Sequence, residues 1–310
     1  MAINMKGKDL ISIHDLSIEE VAQLLDTAEI IKLRHYAQEY LPILKGKVLG
    51  MIFQKPSLRT RVSFETGMIQ LGGEAIYLGP DDIKLGQREA TKDIAQVLSR
   101  YVNGIMARTF SHEIILELAK YSSVPVINGL SDLLHPCQAL GDLLTIREKK
   151  GKLDNLKLAY IGDGNNVAHS LMFGSVKVGM NIVIATPFGY EPKPEITKKA
   201  KEDAKKIGCK LEITNHPEKA VDNADIIYTD VWTSMGLEKE SEIRKNVFKP
   251  YQINQDLISK AKDDVIILHC LPAHRGEEIT DEVIDGPHSV VIDQAENRMH
   301  AQKAVLALLL

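Results

Sequence analysis

A repeated alternation constrains this chain more than any other feature. Short apolar runs rich in β-branched residues are followed by amphipathic stretches of three or four helical turns. Runs at 48–53, 75–78, 105–107 and 124–127 read as strands. A second series follows at 158–161, 182–185, 211–213, 226–228, 265–268 and 290–292. Helical stretches lie between them, at about 61–71, 91–101, 111–121, 136–150, up to Gly179 and 194–207, with a last one over about 294–309. In 91–101, Ile94, Val97, Leu98 and Tyr101 share one face at i, i+3, i+4 and i+7. Strands joined by helix-length connections predict βαβ units and parallel sheets, so the fold class is α/β.

A length of 310 residues suits about two domains. The polar patch at 149–155 predicts their boundary, with one domain over 1–150 and the other beginning at 151. A net charge of −4 speaks against a dedicated nucleic-acid binder. Three scattered cysteines (Cys137, Cys209, Cys270), with no CxxC pair, exclude a disulfide framework and a four-thiolate zinc site. Residues 1–10 lack the apolar run of a secretory signal, and the longest apolar run, 304–310, is too short to span a membrane. A cytoplasmic protein without membrane or nucleic-acid partners is expected.

In open parallel sheets, ligands bind beyond the carboxyl ends of the strands. The polar residues at those ends are therefore the candidates. Ser57-Leu58-Arg59-Thr60-Arg61 follows the first strand and opens a helix. Unpaired amides at a helix start, two hydroxyls and an arginine fork suit a phosphate, although a plain N-cap with surface arginines has the same local pattern. Arg108 ends another strand. His135-Pro136-Cys137-Gln138 opens a helix in which Pro136 fits the first turn. His135 can donate to a carbonyl oxygen, and Gln138 can accept from an amide. Gly162-Asp163-Gly164-Asn165-Asn166 begins like a dinucleotide fingerprint, but Val167 holds the last glycine position and no acidic residue follows the next strand. Asp230 ends a strand ahead of Trp232, Ser234, Met235 and Gly236, and its carboxylate suits an ammonium group. In His269-Cys270-Leu271-Pro272 the first two side chains point to opposite faces, which weakens a joint nucleophilic or metal role. Arg298, by itself, reads as a surface residue of the last helix.

Together and in this order, these motifs resemble the ornithine carbamoyltransferases of the aspartate/ornithine carbamoyltransferase family over essentially the whole chain. The Ser234-Met235-Gly236 loop and the His269-Cys270-Leu271-Pro272 turn separate the ornithine from the aspartate enzymes, whereas Arg59-Thr60-Arg61 and His135-Pro136-Cys137-Gln138 are common to both.

The resemblance implies two doubly wound parallel-sheet domains, the first completed by a C-terminal helix (293–310) that returns to it, the second spanning 151–292. It implies homotrimers, or multiples of trimers, with sites between neighbouring subunits. It also implies carbamoyl phosphate and L-ornithine as substrates, citrulline and phosphate as products, and no metal or organic cofactor. Ser57, Leu58 through its N–H, Arg59, Thr60, Lys84 and Arg108 are implied to hold the phosphate. By the same resemblance Arg108, His135 and Thr60 polarise the carbonyl oxygen, and Gln138 with the carbonyls of Cys270 and Leu271 holds the carbamoyl –NH2, with Arg298 nearby. Asn166 and the Met235 N–H hold the amino acid's α-carboxylate, Asp230 and Ser234 its α-ammonium, and Cys270 paired with Asp230 attends the attacking amine. The implied catalytic set is Arg59, Arg108, His135, Cys270 and Asp230. Leu58 stands where the family usually has Thr, Gln54 where it commonly has Glu, and Lys84 where ornithine enzymes often have Gln. The rival expectations are a sister enzyme acting on putrescine, an acylated ornithine or aspartate, an NAD-dependent oxidoreductase, and a silent homologue.

Overall fold

The strands β1 (Val48–Phe53) and β3 (Gly104–Arg108) are buried at almost every position. A parallel sheet is covered by helices on both faces, so its central strands need apolar side chains on both sides. The structure, a computed structural model, describes residues 2–83, 85, 89–233 and 238–310. The chain divides into two compact units, Met1–Leu144 with Asn297–Leu310, and Thr145–Glu296.

In the first unit α1 (Ile18–Tyr36) precedes β1, then come α2 (Leu58–Gln70), β2 (Glu74–Leu78), α3 (Pro80–Ile83), α4 (Thr91–Leu98), β3, α5 (His112–Tyr121), β4 (Val126–Leu130) and the start of α6 (Pro136–Lys150). The four strands are parallel in the order β2-β1-β3-β4. The strand order reverses between β1 and β3, where Phe53 is in register with Arg108. Ile52, Ile105, Ala107 and Val126 pack on Ile94, Ala95, Ile115 and Leu118 of α4 and α5.

The second unit runs β5 (Lys157–Ile161), α7 (Asn166–Lys177), β6 (Asn181–Ala185), α8 (Pro194–Ile207), β7 (Leu211–Thr214), α9 (Pro217–Val221), β8 (Ile226–Thr229), α10 (Ser241–Phe248), α11 (Gln255–Ile258), β9 (Ile266–His269), α12 (Asp281–Ile284) and the start of α13 (Val291–Leu309). Its sheet is also parallel, in the order β7-β6-β5-β8-β9, and reverses between β5 and β8. Ala159, Ile161, Ile227 and Ile267 meet Val221, Ile253, Leu257 and Val283 in its core. Among the described residues no helix is long and apolar enough to cross a membrane.

The chain passes between the units inside α6 and again inside α13. The expected strand at 290–292 does not form. Sheet-like bonding falls just before it, where the Ile267 N–H donates to His288 O and the Val290 N–H to Ile267 O, and α13 begins at Val291. β4 starts two residues later than expected because Pro125 has no N–H to give to a ladder. The pattern reading overlooked α1, although Ser17 and Glu20 spell a capping box that closes in both directions.

The end of α13 is part of the first unit's core. Ala304, Val305 and Leu306 are fully buried. Lys303 Nζ donates to Gln70 Oε1 on α2 at 2.8 Å, and burial lowers this amine to about 8. Removing a buried leucine leaves a cavity, so Leu306→Ala should cost about 2–5 kcal/mol, read by denaturant unfolding of the first unit.

Candidate functional site

In the first unit the polar residues gather at the carboxyl ends of β1, β3 and β4. Ser57 is the N-cap of α2 in extended backbone, and its Oγ accepts the Thr60 N–H at 3.3 Å. The first-turn amides of α2 have no carbonyl within the helix to bind, and the helix dipole adds positive potential there. Leu58 opens the helix with its side chain exposed, so this position can serve a ligand through its amide.

Thr60 Oγ1 is a hub. The Ser57 hydroxyl donates to it at 3.1 Å, Arg298 Nη2 at 3.2 Å and Arg108 Nη1 at 3.5 Å. Thr60, Arg108, His135, Gln138 and Arg298 are all buried. Burial first, then the charges of Arg298, Arg108 and Arg59, hold the His135 imidazole well below its ordinary 6.5. It is therefore neutral at pH 7, and three guanidiniums converge around it. Arg298, which reads as a surface residue in the sequence, is carried inside by α13. A Cβ on Gly141 would lie 3.1 Å from Arg298 Cα, a measure of how closely α6 and α13 approach.

Cys137 is a packing residue. Its thiol donates to Asn128 O at 3.4 Å, and burial pushes it up to about 12. Gln54 bridges strand ends, with its backbone N–H on Arg108 O and its Oε1 accepting the Phe110 N–H at 2.8 Å. A cleft of about 270 Å³ opens beside it, lined by Phe53, Ile83, Leu85 and Phe110 among others. Lys84 lies outside the described residues.

In the second unit the group forms at the carboxyl ends of β5, β8 and β9. Thr229 pairs in register with His269, so Asp230 and Cys270 emerge side by side. The Cys270 thiol donates to Asp230 Oδ1 at 2.8 Å, and the Val231 N–H donates to the same oxygen. Asn165 Nδ2 donates to Asp230 Oδ2 at 2.7 Å, while Asn165 Oδ1 caps α7 by accepting from Val167 and Ala168. Asn166 opens α7 and is half-buried. Gly164 is required by close approach, because a Cβ there would lie 2.2 Å from Pro192 N. That explains the dinucleotide-like glycine without a pyrophosphate. Ser234 and Met235 lie outside the described residues.

Contrary to the expectation of opposite faces, a His269 ring nitrogen, the Cys270 sulfur and an Asp230 carboxylate oxygen lie within 4.8 Å of one another, because Cys270 lies just past the end of β9, where strand alternation no longer holds. His269 Nδ1 accepts the Leu271 N–H at 2.8 Å, so its proton sits on Nε2, 3.0 Å from Glu278 Oε1. Leu271 itself has a left-handed φ of 55°. Asp230, His269 and Cys270 have the spacing of a metal group, but both ring nitrogens of His269 are already engaged and the thiol is bonded to the carboxylate.

The sequence reading did not assign several residues. Asn165, not only Asn166, shapes the turn, and its N-cap position was legible. Arg244 of α10 donates to Asp163 Oδ2 and to Trp232 O, each at 2.9 Å, tying the α7 turn to the loop after β8. Burial pushes the Asp163 carboxyl up to about 6 despite that arginine. Glu278 and Asp142 are also buried partners of site residues.

The His135 shift has a stability signature. Its folded pKa lies below the unfolded one, so below about pH 6.5 the unfolded chain takes up a proton that the folded chain refuses. Stability should fall by about 1 kcal/mol per pH unit between pH 6.5 and 5 from this group. The slope, measured by denaturant unfolding, should flatten by that amount in His135→Asn.

Comparison with known proteins agrees across the chain. The carbamoyl-P binding domain of aspartate/ornithine carbamoyltransferase matches residues 8–148, and the Asp/Orn binding domain of the same family matches 154–309. An ornithine carbamoyltransferase of Halalkalibacterium halodurans is 58% identical over 308 residues, covering 99% of this chain and 97% of that protein. An anabolic ornithine carbamoyltransferase of Pyrococcus furiosus is 54% identical over 310 residues, covering 100% and 98%. A solved ornithine carbamoyltransferase structure from Pyrococcus furiosus superimposes with a TM-score of 0.97 at 54% identity, over 99% of this chain and 98% of that one.

Proposed function

The chain belongs to the aspartate/ornithine carbamoyltransferase family, and from that premise we infer that it transfers the carbamoyl group of carbamoyl phosphate to the δ-amine of L-ornithine. The products are L-citrulline and phosphate. The observation that carries the first half is the convergence of Arg108 and Arg298 on Thr60 Oγ1, with the charge of Arg59 also bearing on the buried His135. A phosphate dianion relieves the repulsion among these cations and takes charge-assisted hydrogen bonds from them. Ser57, the Leu58 amide, Arg59, Thr60 and Arg108 grip the phosphate, with Lys84 added from beyond the described residues.

His135 and Arg108 then donate to the carbonyl oxygen, where negative charge develops as the amine attacks. A neutral imidazole suits that role, because it donates a hydrogen bond without surrendering a proton. The new C–N bond forms, the C–O bond to phosphate breaks, and the amine's surplus proton leaves with the phosphate. Gln138 Oε1 accepts from the carbamoyl –NH2.

In the second unit Asp230, with Ser234, pairs with the α-ammonium, and Asn166, with the Met235 amide, receives the α-carboxylate at the start of α7. Cys270 beside Asp230 attends the δ-amine. That amine must attack in its neutral form, although its free pKa lies near the ~10.4 of lysine. The anabolic name of the Pyrococcus furiosus relative supports a place in arginine biosynthesis. The three free cysteines fit the cytoplasm. Exposed Leu33, Tyr36, Ile69 and Tyr101 on the first unit fit burial in a homotrimer or a multiple of it.

The test is citrulline assay with L-ornithine, against putrescine, N-acetylornithine and aspartate in parallel. A clear preference for ornithine is expected, and turnover of another amine instead overturns the second-unit assignment. Cys270→Ala should raise KM for ornithine about tenfold or more while moving KM for carbamoyl phosphate less than about twofold. Equal effects on the two substrates would remove Cys270 from its place beside the amine.

A further inference from the structure

We propose that Asp142 is a positioning residue that fixes which end of the Gln138 amide meets the ligand, so that the first unit distinguishes a carbamoyl –NH2 from a methyl group on an acyl phosphate. This rests on the carbamoyl phosphate reading above and adds a determinant of specificity to it.

Gln138 and Asp142 stand one turn apart on α6, where side chains at i and i+4 meet. Both are buried, at 1% and 0% exposure. Gln138 Nε2 donates to Asp142 Oδ1 at 2.8 Å. A carboxylate only accepts, so the –NH2 end of the glutamine must face it, and the rotated amide would set oxygen against oxygen. Oε1 is thereby turned away from Asp142. This oxygen is buried, and no hydrogen-bond donor among the described residues reaches it. A buried carbonyl oxygen left in that state is costly, and a ligand N–H satisfies it.

The placement matches. The Gln138 backbone N–H bonds to His135 O, in the first turn of α6 beside the imidazole that Arg59, Arg108 and Arg298 surround. An acyl phosphate held by the arginines through its phosphate end offers its other end to this oxygen. A carbamoyl –NH2 has hydrogens to give, and an acetyl methyl has none. Without Asp142 the glutamine is free to rotate and present donors to a donor.

The experiment measures calorimetric binding of carbamoyl phosphate, acetyl phosphate and inorganic phosphate to the full-length protein. Asp142→Asn keeps the shape but can offer either its oxygen or its –NH2 to Gln138. Carbamoyl phosphate should bind about tenfold more weakly, the loss of one well-placed hydrogen bond, while acetyl phosphate and inorganic phosphate stay within about twofold. Gln138→Met should lose the same discrimination, and combining the two should add nothing, since Asp142 acts through Gln138. Asp142→Ser, whose hydroxyl can also donate or accept, gives the same readout if the asparagine variant does not fold. An unchanged ratio of carbamoyl to acetyl phosphate affinity overturns the proposal. So does equal weakening of all three ligands, which marks a purely structural aspartate. Failure of the unsubstituted protein to bind carbamoyl phosphate strikes instead at the reading on which the proposal stands.

Discussion

Thr60 Oγ1 ties together three parts of the first unit that are remote in sequence. The hydroxyl of Ser57 at the start of α2, Arg108 at the end of β3, and Arg298 on α13 all donate to that one oxygen. The arrangement brings like charges together inside a protein, where their repulsion is only weakly screened. Part of the unit's stability is therefore given up to keep the cations preorganised. The imidazole between them answers by remaining neutral. A dianionic ligand would offset most of the positive charge of the cluster, so binding and relief of repulsion would coincide.

The second unit follows a different logic. Asp230 has both oxygens engaged before any ligand arrives, by Asn165, the Val231 N–H and the Cys270 thiol. Its carboxylate is held in one orientation by these three donors. His269 is likewise fixed through Leu271 and Glu278, and Arg244 ties Asp163 to the backbone at Trp232. Both units place their groups at the carboxyl ends of parallel strands next to a reversal of strand order, as open α/β sheets favour.

The βαβ architecture was legible because buried parallel strands and amphipathic helices leave different periodicities. The strand-end polar residues were legible because apolar runs stop abruptly at Arg108, Asp230 and His269. Val291 and Ile292 misled, since β-branched residues also occupy the first turn of a helix. Arg298 was not legible without the family resemblance, because its acceptor lies 238 residues away. Glu278 and Arg244 escaped notice because buried polar pairing depends on tertiary contacts. Asp142 lay four residues from Gln138 on a recognised helix, so its spacing could have revealed it. Asn165 belongs to the candidate turn in the sequence, and its place just before a helix makes it the cap.

The central claim is that the cationic cluster of the first unit is a carbamoyl phosphate site. Its most direct test is calorimetric titration of carbamoyl phosphate into the protein and into Arg59→Gly, with thermal unfolding of both followed in parallel. The account predicts saturable binding at one site per chain, weakened about 100-fold or more in the variant, with both proteins showing a cooperative unfolding transition. Equal affinity in the two proteins, with both folded, would contradict it.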